Sequence, residues 1–388
     1  MRRRNTENQM QKTKVVHIVE ANLGGIRQHV IDIVENLDRD KYDIYLIYSD
    51  RRADKVFFDE KAKLESCATL ILCNEMQREL GFHDLSAYRT LVEHIKTIKP
   101  DIVHCHSSKA GIVGRMAAKR CGVKTIIYTP NAYAFETPDI GKLKKDVYIF
   151  AERFLSRHAT SLTINVSKGE MALAKKYKLD KDEKFTLIYN GIPDIEIQSK
   201  DELKKELGLR SDIHYVGVTA RCARQKDPMT FLAVAEKVVK ERNDVEFLYI
   251  GDGEMMGDME AFVEDHKLQS KVHLLGFRSD ASRIVGILDI YLSTALYEGL
   301  PYSMIEAMRA GVPIIATDTV GNKELVVEGE NGKMFQIGAV KDAVNLITSQ
   351  FEHGEITSEN VRLTFNNIFL LDNMINGLNA VYKLHEEE

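Results

Sequence analysis

Cysteine is scarce in this sequence, and its five cysteines are not arranged for a metal site or a disulfide framework. Their number is odd and no Cys-x-x-Cys pair occurs, which disfavours zinc binding and favours a reducing, cytoplasmic compartment. No apolar run approaches the roughly 18 residues that a membrane-spanning helix needs. The apolar stretch VVHIVEA at 15–21 is too short for the core of a secretory signal and is typical of a strand.

An excess of positive charge is also missing, as are two phosphate-binding fingerprints. The formal net charge is −5, which argues against nucleic acid as the main partner. No G-x-x-x-x-G-K-[ST] run occurs, so a P-loop is not expected. Gly24 and Gly25 follow the first predicted strand without the G-x-G-x-x-G spacing, so a nicotinamide-dependent dehydrogenase is disfavoured.

What the sequence has instead is a regular alternation of short apolar runs with helical patterns. This alternation predicts an α/β fold in which parallel sheets are covered by helices on both faces. The predicted strands lie at 14–21, 42–49, 68–73, 100–106, 124–130, 161–167, 214–221, 245–253, 272–277, 289–294, 312–318 and 332–337.

The length of 388 residues predicts about two domains. A stretch at 188–207 contains Asn-Gly, proline and a charged run, which is typical of a linker. We therefore predict a polar tail at 1–13, a first domain at 14–195 and a second domain at 196–365. A C-terminal helix at 366–388 is expected to pack back toward the first domain.

One loop of the second domain, YEGLPYSMIEA at 297–307, carries two glutamates after a predicted strand. Ligands of open α/β sheets bind beyond the carboxyl ends of the strands. Glu298 lies beside a glycine and is either a ligand-binding group or a solvated loop carboxylate. Ser303 and Glu306 have S-x-x-E spacing, so Glu306 either completes a capping box or binds a ligand. The amino end of the following helix offers free N–H groups to an anion.

Two cations precede another helix of the second domain, in VTARCARQKDP at 218–228. Arg221 and Lys226 suit a diphosphate, although a solvated charged turn has the same composition. Gly251 directly follows a strand, where glycine either allows close backbone approach to a ligand or forms a tight turn.

Polar residues also follow two strands of the first domain, where they are expected to face the cleft. His106 and Lys109 follow one strand, and Asn131 follows the next. His104 lies within its strand and is expected to be structural. His104 and His106 have the spacing of a metal pair, but no third ligand is apparent in the sequence, so no metal site is predicted.

Together these motifs resemble those of the retaining, nucleotide-sugar-dependent glycosyltransferases of family 4. The segment at 296–335 resembles the family's E-x7-E signature with its G-x-x-E and N-G continuation. The segment at 219–228 is similar to the family's Arg…Gln-Lys loop, and 106–130 resembles members that build bacterial surface polysaccharides. The resemblance covers nearly the whole chain. It implies the GT-B architecture, in which two facing Rossmann-like domains enclose a cleft, and a nucleotide-sugar donor (UDP preferred) used without a metal or other cofactor.

The resemblance also implies roles for the donor-side residues. Arg221 and Lys226 would hold the diphosphate, and Glu298 would hydrogen-bond hydroxyl groups of the sugar. The other implied donor contacts are Gly24, Gly25, Gly251, Gly299 and Leu300 through the backbone, Glu306 with the ribose, and Phe277 and Arg278 near the nucleobase.

On the acceptor side the resemblance implies His106, Ser107 and Lys109. Asn131 stands where many members have a histidine that bonds the transferred sugar. Asparagine keeps the capacity to donate and accept hydrogen bonds but cannot act as an acid or base near neutral pH. Asn131 therefore keeps open the hypothesis of a non-catalytic nucleotide-sugar-binding subunit. A sugar-nucleotide epimerase and a phosphorylase are alternatives with the same fold, and the Glu298–Glu306 spacing disfavours the epimerase.

The implied acceptor is a saccharide or a polyprenyl-linked oligosaccharide, met in the cytoplasm or at the inner face of the cytoplasmic membrane. The segment at 141–157 contains basic and apolar residues. It either contacts lipid head groups as a peripheral membrane element or is an ordinary helix packed on the first domain.

Overall fold

The computed structural model describes residues 12–77, 81, 83–137, 140–196 and 198–384. Most of the predicted tail and the acidic end at 385–388 therefore lie outside the described residues. The described chain forms two compact units. One unit runs to Ile188 and resumes at Ile375, and the other is Tyr189–Met374.

These limits differ from the predicted domain boundaries, which fall inside the second unit. Tyr189 packs its ring against Phe369, with centroids 5.5 Å apart, and donates its hydroxyl to Glu324 at 2.9 Å. Ile192 pairs through its main chain with Leu370. The segments around Tyr189 and around Phe369 belong to the second unit because their apolar side chains pack in its core.

In the described residues the first unit contains a seven-stranded parallel sheet in the order β3-β2-β1-β4-β5-β6-β7. No strand is predicted at β7, whose three residues are too few to show a pattern; the other six overlap predicted strands. The strands are β1 Thr13–Val19, β2 Tyr42–Tyr48, β3 Thr69–Leu72, β4 Ile102–His106, β5 Thr125–Thr129, β6 Leu162–Asn165 and β7 Phe185–Leu187.

Helices connect these strands, as the crossover of a parallel pair requires. Asp54 begins α2 by accepting the Phe57 N–H at 3.1 Å, and Ser167 begins α6 by accepting the Glu170 N–H at 3.0 Å. The helices are α1 Gly24–Asn36, α2 Lys55–Cys67, α3 His83–Ile98, α4 Ser108–Arg120, α5 Lys142–Ala159 and α6 Lys168–Lys176.

The second unit repeats the arrangement with a six-stranded parallel sheet in its described residues, in the order β10-β9-β8-β11-β12-β13. All six strands overlap predicted ones. They are β8 His214–Thr219, β9 Val245–Ile250, β10 Val272–Leu274, β11 Ile290–Ser293, β12 Ile314–Thr317 and β13 Gly332–Phe335. The helices are α7 Lys200–Glu206, α8 Pro228–Glu241, α9 Met256–Asp265, α10 Ala281–Ile284, α11 Tyr302–Arg309, α12 Val320–Leu325, α13 Val340–His353 and α14 Ser358–Thr364.

The last helix, α15 Leu371–Leu384, belongs to the first unit from Ile375 onward. The Tyr382 ring packs edge-on against Tyr42 with centroids 5.7 Å apart, and its hydroxyl lies 2.9 Å from His104 Nδ1. Tyr382 is completely buried, so the second half of α15 is part of the core of the first unit.

Both sheets reverse their strand order at one point, between β1 and β4 in the first and between β8 and β11 in the second. Crossovers leave such a point in opposite directions, which opens a crevice at the carboxyl ends of the two strands. The two crevices are the places where the predicted site residues are expected.

Candidate functional site

In the second unit the loops after β8 and β11 meet at the reversal point. Lys226 and Glu298 form an ion pair there. The Lys226 side chain is 20% exposed and the Glu298 side chain is 8% exposed, so water screens the pair only partly. With the ends of β8 and β11 and the start of α11, the pair lines a small pocket. Leu300, beside it, is partly buried against the core.

The two loops are held together by side-chain and main-chain hydrogen bonds. The Thr294 hydroxyl donates to the carbonyls of Lys226 and Asp227, each at 2.9 Å. Gln225 accepts the Leu296 N–H at 2.8 Å and donates its amide to the Tyr297 carbonyl at 3.0 Å. These bonds fix the backbone that carries Lys226 relative to the backbone that carries Glu298.

The capping-box interpretation of Glu306 is wrong. The residue that precedes α11 is Pro301, which has no side-chain cap, and Ser303 lies inside the helix. The Ser303 hydroxyl is 2.9 Å from the Tyr291 hydroxyl at the base of the pocket. Burial raises the pKa of Tyr291, and the charges of Glu298 and Glu306 raise it further. Both glutamates therefore act electrostatically on the same buried phenol.

At two positions around this pocket, another part of the backbone comes so close that only glycine fits. A Cβ atom on Gly321, at the start of α12, would lie 2.3 Å from the Gly299 carbonyl oxygen and 2.5 Å from that of Glu298. Gly321 is not among the predicted site residues. A Cβ on Gly251 would lie 1.9 Å from the Ala220 carbonyl oxygen, and the φ of Gly251 is 148°. The backbone that approaches Gly251 is thus the loop after β8.

Apart from Lys226 and Glu298, the predicted donor residues of the second unit, Glu306 included, are not among the residues that line the pocket in the described structure. The Arg221 side chain is exposed, and its carbonyl accepts the Tyr249 hydroxyl at 3.2 Å. Arg278 forms two hydrogen bonds of 2.8 Å with Asp280 and, as the main cause, lowers the pKa of that carboxyl to about 2. Phe277 is 68% exposed.

Gly24 and Gly25 begin α1 of the first unit, where both are exposed. Gly24 has a φ of 55° and donates its N–H to Asp54 at 3.2 Å. Arg27 forms an ion pair with the same carboxylate. The turn after β1 is therefore tied to the start of α2.

A cavity of about 830 Å³ lies at the carboxyl edge of the first sheet. Its wall follows β1, β4 and β5 and continues along α4 and α5. Polar lining comes from Glu20 and Arg52. The Arg52 guanidinium donates to both oxygens of the Glu20 carboxylate, at 3.3 and 3.0 Å. Apolar lining comes from Ile112, Ile140 and Tyr148. The cavity can therefore bind a ligand that has both polar and apolar parts.

Three of the predicted first-domain residues line this cavity: Ser107, Lys109 and Asn131. The Lys109 ammonium lies 2.6 Å from Asp84 Oδ1. The Ser107 hydroxyl oxygen and the Asn131 amide nitrogen are buried atoms without a hydrogen-bond partner in the described structure. His106 is not brought to the cavity, because its side chain points into the core and is completely buried.

The fold adds a third histidine to the His104–His106 pair, which the sequence does not reveal. His17 on β1 lies on the same face, and ligand atoms of the three rings lie within 4.8 Å of one another. His17 Nδ1 is 3.0 Å from His106 Nε2. His104 uses both ring nitrogens, with Tyr382 at 2.9 Å and Thr129 at 2.8 Å. A metal would have to displace one of these bonds, so the cluster fits a hydrogen-bonded core network better than a metal site.

Burial keeps these imidazoles neutral. It lowers the pKa of His17 to about 3 and the pKa values of His104 and His106 well below the ordinary value. Repulsion from the other histidines, including His29 on α1, adds to each shift. The cluster is therefore a group of uncharged donors and acceptors packed between β1, β4, α1 and α15.

A buried ion pair lies beside the cavity. Arg115 on α4 is completely buried and donates to Glu152 on α5 at 2.7 Å. Glu152 also accepts the Tyr128 hydroxyl at 3.0 Å, and the Arg115 guanidinium stacks 3.8 Å from the Tyr128 ring centroid. Burial opposes charge on Arg115, but Glu152 outweighs it and raises the Arg115 pKa. The pair cross-links the two helices that form the cavity wall.

Among the residues that the structure describes, no helix has both the length and the apolar composition that crossing a bilayer requires.

Two family models match the chain: Glycosyltransferase Family 4 over residues 23–194 and Glycosyl transferases group 1 over residues 199–363. The sequence is 29% identical over 385 residues to the UDP-Gal:alpha-D-GlcNAc-diphosphoundecaprenol alpha-1,3-galactosyltransferase of Escherichia coli. The aligned region covers 96% of this chain and 95% of that protein.

Solved glycosyltransferase structures resemble the chain over nearly its full length. HepE of Anabaena in complex with UDP has a TM-score of 0.79 at 18% identity, covering 96% of this chain and 100% of that one. A glycosyltransferase of Rickettsia africae ESF-5 has a TM-score of 0.81 at 19% identity, covering 97% and 100%. Similarity at these identities establishes the fold, which is GT-B.

Proposed function

Because the chain belongs to family 4 of the glycosyltransferases, we propose that it transfers a sugar from a UDP-sugar to a lipid-linked saccharide, with retention of configuration and without a metal ion. The observation that carries this proposal is the Lys226–Glu298 ion pair at the reversal point of the second sheet. It joins a cation suited to a diphosphate and a carboxylate suited to sugar hydroxyl groups in one pocket.

The second unit supplies the groups that a departing diphosphate needs. Sugar transfer passes through an oxocarbenium-like state, while negative charge develops on the leaving phosphate. Lys226, the exposed Arg221 and the amino end of α11 stabilise that charge electrostatically. These cations take the place of Mg²⁺, so the reaction needs no metal.

The glutamates bind the donor instead of transferring protons. Glu298 holds hydroxyl groups of the donor sugar, and Glu306 holds the ribose. No residue is assigned as a nucleophile; the donor phosphate oxygen takes the proton of the acceptor hydroxyl, which attacks on the same face that the diphosphate leaves. Attack on that face retains the configuration.

The first-unit cavity suits the acceptor. The Asn131 amide and the Ser107 hydroxyl offer hydrogen bonds to a saccharide, and they are unpartnered in the described structure. Ile112, Ile140 and Tyr148 offer apolar surface to the first part of a lipid. The acceptor in the printed name of the Escherichia coli relative, a GlcNAc-diphosphoundecaprenol, supports an acceptor of this class.

The outer face of α5 supports contact with a membrane surface. Its inner face packs into the first unit through Ile149 and Leu155. Its opposite face carries a stripe of large apolar side chains at steps of four, three and four residues, flanked by Lys144 and Arg157. This α5 stripe consists of Leu143, Val147, Phe150 and Phe154, which are 81, 52, 67 and 54% exposed. Apolar side chains beside basic ones suit an anionic bilayer surface.

A nucleotide-sugar panel tests the reaction. Each UDP- and GDP-sugar is added with and without EDTA, and with a GlcNAc-diphospholipid, a lipid-free saccharide or no acceptor. At a donor concentration of 100 times Kd, binding should stabilise the fold by about 2.7 kcal/mol. We expect one UDP-sugar to raise the melting temperature of the protein. The sugar of this donor should be transferred to the lipid-linked acceptor in EDTA, and its anomeric configuration in the product should be the same as in the donor.

Each other outcome contradicts a different part of the proposal. Binding without turnover on any acceptor indicates a non-catalytic subunit, and release of UDP with an altered sugar and no acceptor indicates an epimerase. Loss of transfer in EDTA that Mg²⁺ restores contradicts metal independence. If no nucleotide sugar binds, the roles of Lys226 and Glu298 are wrong.

Vesicle sedimentation tests the membrane contact. The protein should sediment with vesicles that contain anionic lipid and less with zwitterionic ones, and a Phe150→Ser/Phe154→Ser variant should lose this binding. Leu363→Ser, which replaces a residue 57% exposed in the second unit, is the matched control. Equal loss in both variants, or none in either, contradicts a role for the α5 stripe.

A further inference from the structure

The turn after β5 adopts a backbone conformation that its residues do not favour. Asn131 and Ala132 have φ values of 52° and 95°. Asparagine tolerates the left-handed region, but alanine has a Cβ that makes it unfavourable. Two such residues in succession persist only where the surroundings hold them. Both line the first-unit cavity, and Asn131 brings to it the unpartnered amide nitrogen.

The group that holds this turn is the carboxylate of Glu170 on α6. Its Oε1 accepts the Ala132 N–H at 2.7 Å, and its Oε2 accepts the Val166 N–H at 2.8 Å. One carboxylate thus links the turn after β5 to the turn after β6. Glu170 is 7% exposed, so these bonds are shielded from water.

An ordinary capping box does not account for this geometry. Ser167 and Glu170 have S-x-x-E spacing, and the Ser167 hydroxyl accepts the Glu170 N–H. In a capping box the glutamate side chain returns to the N–H of the capping residue, which here is Ser167. The Glu170 carboxylate instead reaches the preceding residue, Val166, and crosses to Ala132.

The surroundings of Glu170 disfavour the charged form of its carboxyl group. Burial raises the pKa of its carboxyl to about 7, with a smaller contribution from Glu152, and the two N–H donors oppose this shift. A buried carboxylate that only capped α6 could be replaced by a neutral acceptor. The Glu170 carboxylate instead holds two N–H donors, those of Ala132 and Val166, which lie on separate turns.

We propose that Glu170 is a positioning residue for sugar transfer: its carboxylate holds the strained Asn131–Ala132 turn so that the Asn131 amide is presented to a sugar in the first-unit cavity. The proposal rests on the proposed function. It concerns a residue outside the cavity lining, which acts only through the turn.

The test compares Glu170→Gln with Ser167→Ala, using the UDP-sugar and acceptor found with the panel above. Glutamine keeps one acceptor oxygen but turns an NH₂ group toward the second N–H, so one of the two turns is released. We expect kcat of Glu170→Gln to fall about 10- to 100-fold, while the KM for the donor changes less than about twofold because the donor binds the second unit. Ser167→Ala removes the α6 cap alone and should lower the melting temperature without this fall in kcat.

A second substitution separates positioning from general destabilisation. Ala132→Gly removes the Cβ that makes a φ of 95° unfavourable. In the Glu170→Gln background it should therefore restore part of kcat. A merely structural role of Glu170 in α6 would not respond to this change. Hydrogen exchange of the peptide over 130–137 should be faster in Glu170→Gln than in the wild type and unchanged in Ser167→Ala.

Two results would overturn the inference: an equal fall in kcat in Ser167→Ala, or unchanged exchange at 130–137 in Glu170→Gln with kcat retained. Failure of the proposed function is distinguishable, because the wild-type protein would then transfer no sugar. The exchange experiment needs no substrate, so it tests the link between Glu170 and the turn in either case.

Discussion

Replacement of Glu298 by glutamine is expected to tighten the binding of free UDP and at the same time to slow sugar transfer by about 10²- to 10³-fold. The Lys226 ammonium is bonded to the Glu298 carboxylate in the structure. A diphosphate that binds Lys226 must therefore compete with this carboxylate. Glu298→Gln removes the competing charge but also removes the acceptor for the sugar hydroxyl groups.

The magnitude follows from the exposure of the pair. A hydrogen bond between charged groups contributes about 1.5–3 kcal/mol. Lys226 is 20% exposed, which weakens the pair, so the lower end of that range applies. A release of about 1.5 kcal/mol corresponds to a roughly tenfold lower Kd for UDP. Loss of a polar contact that strengthens in the transition state lowers kcat by about 10²- to 10³-fold.

Calorimetric titration of UDP into four proteins tests this reasoning: the wild type, Glu298→Gln, Lys226→Met and the double variant. The glutamine substitution should tighten UDP binding only where Lys226 is present. Glu355→Gln, which breaks the surface pair with Lys333, is the control and should leave UDP binding unchanged. Weaker UDP binding in Glu298→Gln, or the same tightening in the Lys226→Met background, would refute the competition.

Three other perturbations have outcomes that the structure predicts. Gly321→Ala should lower the rate of transfer at least about tenfold, because the added Cβ displaces the Glu298 loop. Gly257 is a helical glycine with free space around it, so the control Gly257→Ala should keep full activity in the same assay and should not lower the melting temperature. Glu152→Gln should lower the free energy of unfolding by about 3–5 kcal/mol because it leaves Arg115 buried without its counter-charge, whereas Arg115→Met/Glu152→Leu should lose less in denaturant titrations; additive losses would contradict this. His17 has a lower pKa folded than unfolded, so the unfolded state binds more protons between about pH 3 and 6.5, and stability falls below pH 6.5 by about 1.4 kcal/mol per pH unit. His17→Phe should lose this part of the slope, and an unchanged slope would show that the imidazole is not buried neutral.

The sequence by itself determined the fold class and the loops in which to look. Apolar runs with helical patterns between them can only be buried as parallel sheets covered on both faces, and strand ends then mark the ligand-binding edge. The Lys226 and Glu298 loops were predicted on this ground, and the structure brings them together in an ion pair. Local patterns also sufficed for six of the seven first-unit strands, but not for the three residues of β7.

Capping and boundaries were less well predicted, because they depend on packing at the ends of elements. Ser303 and Glu306 have the spacing of a capping box, but α11 begins one position after Pro301 and places the Ser303 hydroxyl against that of Tyr291. The segment around Tyr189 has a linker composition, yet it packs into the second unit. Spacing indicates that two residues can interact, while their surroundings decide whether they do.

Only the tertiary structure decided which distant residues share a site. The register of β1 against β4 places His17 opposite His104 and beside His106, and a shift of one residue would have turned it to the other face. The approach of α12 requires Gly321, and the turn after β6 brings Glu170 to Ala132. None of these contacts has a local signal, because each depends on strand order, register and helix packing among segments far apart in the chain.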